Sequence, residues 1–133
     1  MPDSPLRSTR RRDGSDIESF AGYSRAARIG SLIAVSGTTA AADPGARPAG
    51  DTAAQTERAL RTAIDAVVAL GGSRESILRS RILLTPDANW EAAARAHREQ
   101  LGDVSPANSM YRVHSLIGDG FLVEVELDAV ALD

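Results

Sequence analysis

The sequence predicts an α+β fold: a mixed sheet with two helices on one face, in the order strand, strand, helix, strand, helix, strand, strand. Three observations carry this expectation. Val123, Val125, Leu127 and Ala129 alternate with Glu124, Glu126 and Asp128, the period of a strand with one dry and one charged face. Leu60, Ile64, Val67 and Val68 recur at the four- and three-residue steps of a helix face. Glycine-bearing turns separate the apolar runs at Gly30, Gly71-Gly72, Gly102 and Gly118-Asp119-Gly120.

Each element follows in order. Residues 1–15, with Pro2, Pro5, Gly14 and Arg10-Arg11-Arg12, read as a flexible tail that can add a short edge strand, and residues 16–133 as one domain. A hairpin turns at Ile29-Gly30-Ser31-Leu32, and Leu32 to Gly37 is β-competent. Thr38 to Gly50, rich in Ala, Pro, Gly and Asp without a period, is a surface loop. Asp51 caps the first helix, which Gly71-Gly72 ends. Ile77 to Leu84 is a strand, broken by Thr85-Pro86-Asp87. The second helix begins at Asp87 or the residue after it, buries a stripe of Trp90, Ala93 or Ala94, His97 and Leu101, and stops at Gly102. Asn108 to Leu116 and Phe121 to Leu132 form two strands around Ile117-Gly118-Asp119-Gly120, a hairpin signal.

Composition removes several function classes. The 133 residues suffice for a single core that needs no staple. Fifteen basic residues against eighteen acidic give a net charge of −3, which argues against a nucleic-acid partner or a membrane-surface binder. With no cysteine there is no disulfide framework, thiolate nucleophile or zinc–thiolate site. All the basic residues are arginine, so no lysine can form a Schiff base. Two histidines are too few to favour a metal cage. No run reaches the roughly twenty apolar residues of a membrane span, and the arginine-rich start is not followed by the apolar core of a signal peptide, so a cytoplasmic location is expected.

Two helices cover one sheet face. The other carries Glu124 and Glu126, with Met110 and His114 placed there by the same pattern. Such a face is either solvated or buried against other copies of the chain, and the second option makes a closed homo-oligomer with polar pockets between subunits.

Gly22-Tyr23-Ser24-Arg25, the strand end Val35-Ser36-Gly37-Thr38, the Asp51–Gln55 helix start, Pro106-Ala107 and the closing Val123-Glu124-Val125-Glu126 resemble, in this order, the reactive-intermediate deaminase (RidA/YjgF) family. The resemblance spans about residues 20–131 and implies a chorismate-mutase-like fold, a homotrimer with three inter-subunit clefts, and hydrolysis of reactive 2-imino and 2-enamino acids to 2-keto acids and ammonia without a cofactor. It also implies roles. Tyr23 lines the cleft, the backbone of Ser36 and Gly37 approaches the ligand, and Glu124 orients the attacking water. The chain departs from the family pattern at its decisive position: where the deaminases have Pro-Ala-Arg-Ser, this chain has Pro106-Ala107-Asn108-Ser109, with Met110 in place of the small residue that follows, and the asparagine that often lines the cleft from the second helix has no match in Ala92-Ala93-Ala94. The substrate-clamping arginine is thus an asparagine, which suits a carbonyl or amide partner better than a carboxylate.

The remaining candidates have both structural and functional readings. Arg25 shares strand parity with Tyr23, opposite to Arg28; it is either an alternative anion anchor or the partner of a neighbouring glutamate. Arg112 shares parity with Asn108 and Met110 and so is a candidate to point inward and bind substrate; its structural reading is a cross-strand pair with Glu124 or Glu126 across the hairpin. His97 reads as a satisfied, half-buried histidine and His114 as an interface residue. Ser36 lacks a nucleophile-elbow context.

The expectation is therefore a homotrimer that binds a small polar metabolite in inter-subunit clefts through Tyr23, Asn108, Met110 and the Ser36-Gly37 backbone. It performs cofactor-free hydrolysis or tautomerisation at a C–N or carbonyl carbon, with Glu124, Tyr23 and Asn108 at the chemistry and Asn108 polarising the electrophile. Two alternatives stand beside it: a non-catalytic metabolite-binding regulatory module, and a 2-imino-acid deaminase anchoring its substrate through Arg25. A ribonuclease ranks last.

Overall fold

The two-residue turn Gly30-Ser31 joins β2 (Ala26–Ile29) to β3 (Leu32–Thr38) with Ile29 opposite Leu32, as expected; Gly30 takes the positive φ of 62° that this turn requires. In the computed structural model, which describes residues 6–41 and 50–133, this hairpin is one part of a six-stranded sheet. Most of the expected loop, residues 42–49, lies outside the described residues. Ser8–Arg11 form β1, antiparallel to β2, the short edge strand that the sequence allows the N-terminal segment to add.

Asp16–Ala21 form a helix, α1, that the expected element order omits. Its start is a capping box: the Ser15 hydroxyl accepts from the Glu18 N–H while the Glu18 carboxylate accepts from the Ser15 N–H. Further donation from the Asp13 N–H holds the Glu18 carboxyl below the ordinary carboxylate range despite its burial.

The long helix α2 (Thr52–Ala69) begins at Asp51, whose side chain accepts from the Ala54 N–H. It buries Leu60, Ala63 and Val67 against the sheet, while Val68 is 55% exposed and falls outside the expected stripe. Its C-terminal Leu70 carbonyl accepts from the buried Arg28 guanidinium, which also pairs with Asp133 at 2.6 Å. Arg28 thus lies on the helix-covered face, opposite Arg25, as alternation requires. After a 3₁₀ turn (Arg74–Ser76), β4 spans Ile77–Leu84, and α3 spans Trp90–Leu101. Asn89 is the N-cap of α3, two or so residues later than the sequence pattern places it, because Pro86 and Asp87 are used in the preceding turn.

The strand order is β1-β2-β3-β6-β4-β5, with β5 at Ala107–Arg112 and β6 at Val123–Val130. This corrects the expected β5–β6 hairpin: β5 pairs parallel to β4, and β6 inserts between β3 and β4, antiparallel to both. The physical reason is the α3 crossover, which returns the chain to the start of β4 and makes the next strand parallel, leaving the other edge of β4 for β6. Ile117-Gly118-Asp119-Gly120 is the tip of the β5–β6 connection, pinned to α2 by the buried Gln55: its amide donates to the Gly120 carbonyl and accepts from the Leu122 N–H.

The core lies between the sheet and α2 and α3, where Leu60, Val67, Ile82, Leu101, Val123, Val125 and Leu127 are fully buried. Each such side chain contributes roughly 1.5–3 kcal/mol relative to exposure. No helix or described loop packs over the opposite sheet face in the same way, and Leu32 (69% exposed), Leu78 (64%) and Tyr111 (55%) stand open there. Among the described residues no helix is long and apolar enough to cross a membrane.

Candidate functional site

The sheet itself builds the first part of the site. Between the pairs Val35–Leu127 and Thr38–Val125 the β3–β6 ladder loses register, so Ser36 and Gly37 together face Glu126, a bulge. The bulge opens a space that the Glu124 carboxyl fills. A Cβ added to Gly37 would meet Glu124 Oε1 at 2.7 Å and Cδ at 2.8 Å, so only glycine leaves room for the carboxyl where it sits. Arg25 braces the same bulge. Its Nη1 donates to the Gly37 carbonyl at 2.8 Å and to the Thr38 hydroxyl at 2.9 Å, and its Nε donates to Asp13 at 2.7 Å. Two of its three nitrogens are therefore engaged, and no bond among the described residues reaches Nη2. The Ser36 hydroxyl donates to the Ser24 carbonyl at 2.6 Å, turned away from the role of a nucleophile.

Burial pushes the Glu124 carboxyl above its ordinary value of 4.5; the neighbouring Glu126 adds to the rise, and Arg25 opposes it. A carboxyl so shifted can take and return a proton more readily than an exposed one. Glu126 differs: Arg81 on the adjacent β4 lies 3.7 Å from Glu126 and 3.2 Å from Asp128. This is the cross-strand pairing expected of Arg112. It falls to Arg81 because β4, not β5, is the neighbour of β6.

Tyr23 lines a cleft of about 480 Å³ between β1 and α1, with Arg10, Arg12, Ser15 and Ser24 around it. The next residue, Ser24, is tied to the bulge, its carbonyl accepting from the Ser36 hydroxyl.

Asn108, Met110 and Arg112 lie elsewhere. They pair in register with Ser80, Ile82 and Leu84, whose side chains face the helices, so all three occupy the face opposite Glu124. The placement of Met110 beside Glu124 is thus corrected: Met110 packs against the core at the sheet edge. Arg112 donates to the carbonyls of Thr85, Pro86 and Ala88 and braces the turn before α3 instead of pairing with Glu124. Met110, Arg112, Tyr111, Leu84 and Trp90 line a second pocket of about 390 Å³. Trp90, expected in the buried stripe of α3, is 51% exposed and forms its aromatic wall. As the first residue of α3, it sits before the inner stripe of Ala93 and Leu101 is established.

Asn108 does not project freely. Its Nδ2 donates to the Ser80 hydroxyl at 3.0 Å and to the Ser80 carbonyl at 3.3 Å, and the Ser80 hydroxyl lies 2.8 Å from His97 Nε2. The expected role of Asn108 as a donor that polarises an electrophile is therefore corrected: both its N–H groups are used inside the protein. His97 is half-buried and satisfied, as its place on α3 suggests, whereas His114 is exposed in the β5–β6 connection. Among the described residues no group of three or more His, Asp or Glu side chains could hold a metal ion.

Known proteins share this architecture. A Mycobacterium tuberculosis protein, Rv2704, of the YjgF/YER057c/UK114 family, is 38% identical and superposes with a TM-score of 0.84 over 94% of this chain and 100% of its own. PA3499 from Pseudomonas aeruginosa, a protein of unknown function, is 26% identical with a TM-score of 0.80, covering 94% of this chain and 93% of its own. A Streptomyces coelicolor relative, the uncharacterized protein SCO2049, is 34% identical over 116 residues, 87% of each chain. The family model described as Endoribonuclease L-PSP matches residues 14–131. With that match over nearly the whole chain and a relative 38% identical that is covered along 100% of its own length, the protein belongs to the YjgF/YER057c/UK114 (RidA) family.

Proposed function

We propose that this chain acts as a homotrimer whose inter-subunit clefts bind a small polar metabolite and hydrolyse, or tautomerise, an imine, enamine or related C–N or carbonyl group. The observation that carries this reading is the Glu124 carboxyl: partly buried, raised in pKa, seated on Gly37 beside the Arg25 guanidinium, on a sheet face left open by the chain's own helices. A trimer covers that face, and it answers a second difficulty. Glu124 and Asn108 lie on opposite faces of one sheet, two strands apart, so they can share a cleft only when Asn108 comes from a neighbouring copy.

In hydrolysis of an imine, Glu124 takes a proton from water as the oxygen attacks carbon. It returns the proton to nitrogen, then carries the remaining proton of the new hydroxyl to nitrogen as the C–N bond breaks, leaving a carbonyl and ammonia. Tyr23 and the Ser36-Gly37 backbone shape the pocket, while Met110 and Trp90 of the neighbouring copy, which come with its Asn108, give it an apolar wall. Arg25 serves here to hold the bulge and temper the Glu124 charge, since its engaged Nε and Nη1 leave no free fork for a substrate carboxylate. The test supplies imines generated in place by an amino-acid oxidase and follows keto-acid release. Release that disappears in Glu124→Ala supports the reading, and release unaffected by that change refutes it.

One observation favours a second reading. With no guanidinium at position 108, the cleft lacks the group that would clamp an imino acid, so a non-catalytic metabolite-binding module that regulates an enzyme partner fits the same geometry. Saturable ligand binding with no turnover of any imine offered would favour it.

A further inference from the structure

The hydrogen bonds of Asn108 carry a consequence for specificity. An asparagine amide presents either its oxygen or its nitrogen, and here the choice is fixed. The Ser80 carbonyl can only accept, so the amide atom 3.3 Å from it is the nitrogen. The second N–H meets the Ser80 hydroxyl at 3.0 Å. That hydroxyl, accepting from Asn108, has its own hydrogen left to give, and His97 Nε2 lies 2.8 Å away to receive it. Ser80 is fully buried, so water cannot substitute for either partner. His97 must then carry its proton on Nδ1. Burial pushes its pKa below the ordinary 6.5, which keeps the ring neutral and Nε2 an acceptor.

The outward atom is therefore Oδ1, which no hydrogen bond among the described residues reaches, on a residue that is exposed at the sheet edge. We propose that His97 and Ser80 are positioning residues that lock Asn108 with its oxygen outward, so that the site selects a ligand presenting an N–H donor, such as a primary carboxamide, over the corresponding carboxylate. A carboxylate would bring oxygen lone pairs against Oδ1, whereas an amide N–H would bond to it. The inference rests on the cleft reading given above and adds the chemical class of the ligand.

Pyruvamide and pyruvate have nearly the same shape and differ in the group offered to Asn108. Titrated into the ¹⁵N-labelled protein and followed by amide chemical shifts, pyruvamide is expected to bind at least about tenfold more tightly. In Ser80→Ala the amide of Asn108 is released to flip, and the ratio of the two affinities should fall to near one. A merely structural defect would weaken both ligands together and leave the ratio unchanged. In His97→Gln an acceptor oxygen can replace Nε2, and the ratio should persist. If Ser80→Ala does not fold, His97→Phe removes the acceptor while retaining the bulk, and the same collapse of the ratio is expected.

Equal or tighter binding of pyruvate to the wild type overturns the inference and leaves the cleft reading standing, and so does a ratio that survives loss of the relay. Binding of neither probe overturns both.

Discussion

Gly37→Ala separates what the Glu124 carboxyl does for function from what it does for stability. The new Cβ would lie 2.7 Å from Oε1, against the 3.4 Å or more of an ordinary contact, so the carboxyl must retreat by about 0.7 Å. Glu124 can yield because the obstructed atoms are the far end of a flexible side chain. An off-rotamer side chain costs about 0.5–1.5 kcal/mol. Replacing glycine where φ is not left-handed returns about 0.4–1 kcal/mol through the unfolded chain. Net stability should therefore change by less than about 1 kcal/mol, which moves Tm by only a few degrees in a domain of this size. Catalysis is less forgiving, since a displacement near 1 Å can cost on the order of 100-fold. The expected result is keto-acid release from in-place imines reduced by one to two powers of ten, with thermal unfolding almost unchanged. Full turnover at unchanged Tm would show that Glu124 does not act from its seat on Gly37. A loss of several kcal/mol in stability would show that the carboxyl is locked there for structural reasons.

Three further outcomes follow from the same geometry. Because burial raises the Glu124 pKa above 4.5, the native state disfavours its charged form; the stability this carboxyl contributes is complete below 4.5 and falls as pH rises through the folded value. Glu124→Gln should therefore melt at a higher temperature than wild type at pH 7, with the gain vanishing near pH 4, and a variant less stable at pH 7 would contradict the assigned burial. Asp133 behaves in the opposite sense: its hydrogen bond from Arg28, helped by Arg7, holds the carboxyl below 3.8, so its contribution is present above that value and lost as pH falls through the folded one. Asp133→Asn should lower Tm at pH 7 and converge with wild type in strong acid, as read by circular dichroism. Asn108→Arg replaces an acceptor with a fork that can make two charge-assisted bonds of about 1.5–3 kcal/mol each, so pyruvate affinity should rise by about two powers of ten. An unchanged pyruvate Kd in that variant would place position 108 outside the binding cleft.

Local signals in the sequence were strong where a single element decides its own conformation. The Gly30-Ser31 turn, the Asp51 cap and the bounds of β4 follow from neighbours a few residues apart, and each forms as expected. The helix α1 is equally legible in Ser15 and Glu18, which have the spacing of a capping box, but its 6 residues are too few for an apolar helix period to repeat. The partner of β5 was not legible, because nothing in Asn108 to Leu116 distinguishes a strand that turns back from one that lies parallel beyond a helix. A hairpin reading therefore gives Arg112 and Met110 the wrong neighbours, since cross-strand contacts depend on strand order. For the site, alternation separated Arg25 from Arg28 and put Glu124 and Glu126 on one face. The seat of Glu124 on Gly37 required the β3 bulge, which a lone glycine inside a strand hints at without saying what fills it, and the orientation of Asn108 required Ser80 and His97, distant in the chain.

The central place of β6 makes it the seam of the sheet. β1, β2 and β3 form one ribbon and β4 and β5 another, and within the sheet they are joined through β6, a strand that comes late in the sequence. Until Val123–Val130 dock, each ribbon has a raw inner margin of unpaired N–H and C=O groups, open to the wrong partner. A chain cut before Val123 would thus lose its cohesion as a whole and be prone to clumping. Glu124 would likewise reach its position only as the final stitch is drawn, so reactivity would arise together with a finished sheet.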